Sequence, residues 1–113
     1  MAALPGRAGD DRITGEQAAL RRVATLVARA AAPEEVFAAV TEEAGRLLDV
    51  DYTAMSRYDS DHARTIVASW GSTGTPYPIG SRVRLGGRNV NTLVCQTGAA
   101  VRIDDYAEAS GPL

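Results

Sequence analysis

Any chemistry in this chain would have to run through very few side chains. Of its 113 residues one is a histidine and one a cysteine. A cysteine–histidine nucleophile pair would need His62 and Cys95 within hydrogen-bond reach, and a thiol-rich metal centre has no ligands to draw on. His62 follows Asp59, Ser60 and Asp61, residue types that bond to their own backbone in turns, so it reads as a solvated turn residue. Cys95 closes the apolar run Leu93-Val94-Cys95, where an unpaired cysteine reads as a small core side chain. No Ser/His/Asp, Cys/His or metal-ligand constellation is visible. The expectation is a protein with no catalytic residue and no metal site.

Other features could bind rather than react. Gly86-Gly87-Arg88 precedes a helix start, which brings together backbone N–H groups, a helix dipole and a guanidinium, the ingredients of an anion site. Two glycines there also make a simple tight turn, and the longer Gly-rich phosphate loops are absent. Asp104 and Asp105 are neighbours after an extended run. Side chains alternate along a strand, so the pair is no natural acid/base dyad, and one of them is expected to cap the following turn. Trp70, on a β-rich run, reads as core before it reads as pocket wall.

With 45% apolar and 23% charged residues, the chain has the composition of a globular protein of one domain with a limited core. A net charge of −2 and a pI near 5.3 supply no basic field, so nucleic acid is not an expected partner. All twelve basic residues are arginine. Its longest apolar runs are a few residues, and the first ten residues lack the charged start and apolar block of a signal peptide. A single cysteine permits no intramolecular disulfide, which suits a reducing cytoplasm. The expected protein is cytoplasmic and neither spans nor touches a membrane.

The elements that would position these residues follow from periodicity and punctuation. Residues 1–12 carry Pro5, Gly6 and Gly9 and read as a flexible leader. Thr14 and Gln17 form a capping-box pattern opening a helix from Gly15 to about Ala31, the cap contributing about 1 kcal/mol. Its broad face of Ala19, Leu20, Val23, Leu26, Val27, Ala30 and Ala31 is wide enough for two neighbours. A second helix, Pro33–Leu48, starts on proline with Glu34 and Glu35 at the positive end of its dipole, and Glu42 can pair with Arg46. Its apolar face is Val36, Phe37, Val40, Ala44, Leu47 and Leu48. Tyr52–Tyr58 and Arg64–Trp70 flank the turn cluster as a hairpin, with Ile66, Ala68 and Trp70 opposing Thr65, Val67 and Ser69. A Gly/Pro loop (71–80), a short strand (Arg82–Leu85), a helix (Arg88–Gln96) stopped by Gly98 and a strand (Ala100–Ile103) complete the reading.

This order resembles the front part of a GAF domain, the sensory module of bacterial signalling proteins. The residues that carry the resemblance are 17–28 (QAALRRVATLVA), Pro33–Val40, Arg57-Tyr58, Ala68–Gly71, Gly87–Val90, Thr97-Gly98 and Arg102–Tyr106. Together they are similar to GAF sensors of actinobacterial histidine kinases, from about Ile13 onward. The resemblance implies an α+β fold: an antiparallel β-sheet with two N-terminal helices packed on one face, residues 13–113 being the N-terminal part of a single domain. Further strands that would lie beside Tyr52–Tyr58 have no counterpart, so the sheet is expected to be incomplete at the C-terminus with one open edge.

The implied function is a non-catalytic module that binds a small ligand or passes a signal to a downstream histidine kinase in a two-component system. Kinase activity itself would need downstream domains. The alternative is a dimerisation module with a vestigial pocket. Candidate ligand-binding residues are Trp70, Arg88, Asn89, Asp104 and Tyr106. Candidate dimer-interface residues are Leu20, Val23, Leu26, Val27 and Ala30. Some members of the family hold haem or attach a bilin, but neither His62 nor Cys95 supports that here, and a single thiol cannot supply the resolving partner of a methionine sulfoxide reductase.

Overall fold

The computed structural model describes residues 7–71 and 77–112, with side chains described from Ile13 onward. The fold is α+β: helices α1 (Arg7–Ala28), α2 (Pro33–Leu48) and α3 (Val90–Thr97), strands β1 (Tyr52–Tyr58), β2 (Ala63–Gly71) and β3 (Arg82–Arg84), and a 3-10 turn over Tyr106–Glu108. The strands form one sheet in the order β1-β2-β3. The β2–β3 ladder is antiparallel, with Ala63 opposite Arg84, Arg64 opposite Val83 and Thr65 opposite Arg82. Among the described strands β1 and β3 are therefore the edges. The chain divides into two compact units, residues 1–55 with 68–76 and residues 56–67 with 77–113.

In the first unit α1 packs along α2. Ala19 is buried, Val23 and Leu26 are half-buried, and Arg22 donates to Glu42 at 3.0 Å and Glu43 at 2.8 Å across the helix pair. Glu42 also meets Arg46 at 2.8 Å, the expected pair one turn apart. α2 has the predicted bounds, with Pro33 in its first turn and no side-chain cap. Its buried positions, however, are Ala39, Thr41 and Gly45, whereas Val36, Phe37, Val40, Ala44 and Leu47 are half-buried and Leu48 is exposed. Tertiary contact explains the difference. The Trp70 ring lies so close to Gly45 that a Cβ there has no room, and Thr53 Oγ1 donates to the Thr41 carbonyl at 2.6 Å. A bulky apolar side chain at position 45 would hold the helix away from the strand.

α1 departs from expectation at both ends. It begins at Arg7 rather than Gly15, since no proline after Pro5 interrupts the backbone ladder. Thr14 then lies inside the helix, where the following N–H groups already have carbonyl partners and no cap is needed. Residues 1–6 of the expected leader lie outside the described residues. At the other end α1 stops at Ala28 rather than Ala31. Ala30 takes φ 55°, and the N–H groups of Ala30 and Ala31 donate to Val27 and Leu26, both at 3.0 Å, which closes the helix in a left-handed turn. Ala30 is thus a turn residue and not part of a helical interface stripe.

In the second unit the buried residues are Ala63, Arg64, Ile66, Val83, Asn89 and Thr92. The expected strand at Ala100–Ile103 does not form: no described strand offers it a ladder of hydrogen bonds, and extended backbone without a partner is not a strand. α3 starts at Val90, two residues later than expected, because Asn89 is its cap. Gly98 ends it at φ 66°, the stop predicted for it. Residues 72–76 of the expected Gly/Pro loop lie outside the described residues.

Two substitutions separate the tertiary account from the sequence reading. Gly45→Val is expected to lose about 1–3 kcal/mol through overpacking against Trp70, while Thr14→Ala, no longer the loss of a cap, should stay within about 0.5 kcal/mol. Urea midpoints at equal slope check both.

Candidate functional site

The second unit holds the buried polar side chains Arg64, Asn89 and Thr92. Alternation puts Ser56 and Tyr58 on one face of β1, and Arg64 with Ile66 on one face of β2, where Arg64 stands opposite Val83 on β3. Arg64 is only 6% exposed. Its Nη1 donates to Ser56 Oγ at 2.7 Å, and its Nε is buried with no acceptor. Among the described residues no carboxylate pairs with it; the ion pairs formed involve Arg22, Arg46, Arg57, Arg82 and Arg102. Burial pulls the Arg64 guanidinium below its ordinary value, and the nearby Tyr58 and Tyr77 phenols oppose that fall. An uncompensated buried charge costs several kcal/mol, because the protein interior solvates it far less well than water.

Tyr58 ties this face to α3. Its hydroxyl donates to the Asn91 carbonyl at 2.6 Å. Burial raises the phenol above its ordinary value, Cys95 adds to the rise and Arg64 opposes it. The neutral, donating form is therefore the one the fold favours. Cys95 is half-buried and lines a surface cleft of about 350 Å³ with Asp61, Thr92 and Gln96.

The opposite face of the same strands is charged and wet. Asp59 accepts from Thr65 Oγ1 at 2.6 Å and Arg57 Nε at 3.1 Å, with Arg82 3.9 Å away. The Thr65 hydrogen bond, then Arg57 and Arg82, hold its carboxyl below the usual carboxylate range against the opposing effect of burial. Arg57 and Arg82 share this one carboxylate at an exposed surface, where water solvates the charges and such pairs contribute little.

The five residues expected to bind ligand do not gather at one place. Trp70 belongs to the first unit, where it is half-buried on Gly45. Asn89 is 2% exposed and wholly committed to the fold: its Oδ1 accepts from Thr92 N at 2.9 Å, and its Nδ2 donates to the carbonyls of Gly86 at 2.8 Å and Ser110 at 2.9 Å. Arg88 has an exposed side chain, and its backbone N–H donates to Ser110 Oγ at 2.8 Å. Gly87 faces Ser110 and Gly111 so closely that a Cβ is excluded. The Gly86-Gly87-Arg88 segment thus clasps the chain's own residues 110–111 rather than presenting bare N–H groups. Asp104 is exposed and pairs with Arg102. Asp105 caps the 3-10 turn through Ala107 N at 2.9 Å, the role expected for one of the two aspartates. Tyr106 is 59% exposed. His62 is exposed in the hairpin turn, as expected.

Sequence reasoning missed Arg64, Ser56 and Tyr58. A signal existed: Arg64 occupies the same parity as Ile66 and Ala68, the apolar face of β2, where a charge is out of place. Among the described residues no three His, Cys, Asp or Glu side chains gather where a metal could sit, and no helix is long and apolar enough to cross a membrane.

Compared with family models, curated proteins and solved structures, the chain matches none.

The committed amide gives a test of the site's frame. Asn89→Ala strands two carbonyls and one N–H and should cost about 2–4 kcal/mol. Arg88→Ala, one residue away and exposed, should cost less than about 0.5 kcal/mol. Chemical denaturation of the two variants checks the contrast.

Proposed function

We propose that this chain is a non-catalytic sensory module of GAF type, which binds a small ligand in its second unit and serves a downstream histidine kinase of a cytoplasmic two-component system. The observation that carries the binding part of this reading is Arg64, buried against Ser56 with its Nε facing no acceptor among the described residues. A charge held out of water and left unmatched is a group arranged for something the chain does not supply. The order helix, helix, hairpin, β3, α3 supports the family comparison. A binding role fits better than an enzymatic one, since the site offers a cation and hydroxyls but no nucleophile beside a base.

Thermal unfolding against a panel of small metabolites tests the reading. At least one compound should stabilise the chain, by about 2.7 kcal/mol at a hundredfold excess over its Kd, and should be recovered unchanged. Consumption of that compound would sink the non-catalytic part, and a panel without any shift would sink ligand binding.

A second reading, a dimerisation module with a vestigial pocket, draws on the outer face of α1. Ile13, Leu20 and Val27 recur every seven residues and are 55%, 71% and 61% exposed, the spacing of a helix seam that another helix covers. Val23 and Leu26, expected in the same interface, instead turn towards α2 as half-buried residues. A self-paired α1 should give a dimer by light scattering at ~100 μM, above the Kd of ordinary weak pairs, and Leu20→Glu should return it to monomer. A wild-type monomer at that concentration removes this reading.

A further inference from the structure

The proposed ligand site says more than that something binds, because the unmatched group has a definite charge and shape. A guanidinium presents its donors as a planar fork, and its natural counterpart is a planar pair of oxygens sharing a negative charge. Arg64 uses Nη1 on Ser56 Oγ, which leaves the edge that carries Nε. Ser56 accepts that bond and so fixes the plane of the guanidinium. Both neighbours with a felt charge effect, Tyr58 and Tyr77, are phenols and not carboxylates. Arg82 and Arg84 flank Val83 on β3, so alternation turns them to the face opposite Arg64. Among the described residues a single buried cation therefore stands on this face, and one negative charge neutralises it where two would leave an excess.

Resting on the ligand-binding reading above, we infer that Arg64, oriented by Ser56 through Nη1, is the recognition point for a monoanionic carboxylate, held through the Nε edge of the guanidinium. The carboxylate supplies the charge that the fold leaves uncompensated, so binding and folding of the second unit are coupled.

The experiment titrates the full chain with acetate, with its uncharged counterpart acetamide, and with inorganic phosphate, at ionic strength held constant with chloride, while the 15N–1H resonance of Arg64 Nε is followed by NMR. Acetate should shift that resonance saturably and acetamide should not. Arg64→Lys, which keeps the charge but loses the fork, should weaken acetate binding roughly tenfold, read from backbone amides of β2 and α3. Arg64→Met should abolish the response and raise the urea midpoint of the acetate-free protein, because it removes a buried charge with no partner. A purely structural arginine would instead give a lower midpoint in Arg64→Met. That result, or acetate shifts that survive in Arg64→Met, overturns the inference. Saturable shifts from acetamide without any from acetate overturn the anionic class and leave the ligand-binding reading standing, whereas phosphate binding tighter than acetate overturns the single-charge assignment. No response to any of the three overturns the carboxylate site, and the metabolite panel then decides the ligand-binding reading separately.

Discussion

Charge held out of water must be matched or it destabilises the state that holds it, and in the second unit that condition falls on Arg64. Its guanidinium lies on the apolar side of β2, between Ile66 on its own strand and Val83 opposite, with one hydroxyl as partner. The lowered proton affinity of this group is the electrostatic statement of the same cost. What surrounds it is organised accordingly. Tyr58 is kept neutral and donates to α3, while the carboxylate of Asp59, the next residue, is turned to the other side and satisfied there by Thr65 and Arg57.

Asn89 shows the opposite solution. It is as deeply buried as Arg64, yet its amide is saturated by the α3 N-terminus, Gly86 and Ser110. Thr92, buried next to it, accepts from Gly86 N at 2.9 Å through its Oγ1. These bonds fix the start of α3 to the segment that follows β3 and to the chain near Ser110, so the helix is positioned by polar contacts where a larger protein would use apolar area. Since hydrogen bonds between neutral groups contribute modestly when made and cost more when broken, such a frame is specific in geometry and sensitive to substitution.

The first unit relies on closeness instead. Its buried positions are Ala19, Ala39, Thr41, Gly45 and Ala68, small residues that let α1, α2 and the Trp70 ring approach one another. Small side chains remove little apolar area each, so packing distance and the Arg22 bridge to Glu42 and Glu43 carry the contact between helices. The same economy leaves Leu20 and Val27 outside, on the face of α1 turned away from α2.

Sequence by itself determined the α+β class, both bounds of α2, the hairpin with His62 in its turn, the Gly98 stop and a cap from one of Asp104 and Asp105, because each rests on periodicity or on one residue acting on its own backbone. It could not set the ends of α1, whose start depends on whether upstream backbone joins a ladder and whose end depends on Ala30 accepting a left-handed turn. It misjudged the α2 face, since burial of Gly45 is decided by Trp70 from a distant strand. The extended run Ala100–Ile103 looked like a strand, but a strand exists only where a partner pairs with it. The candidate site was the least legible: Asn89, read as a binder, is consumed by the fold, and Arg64, unnoticed, is left unmatched. Parity along β2 already placed Arg64 on the apolar side. Whether a counter-charge would meet it there depended on which side chains the sheet and α3 bring together, and only the tertiary structure decides that.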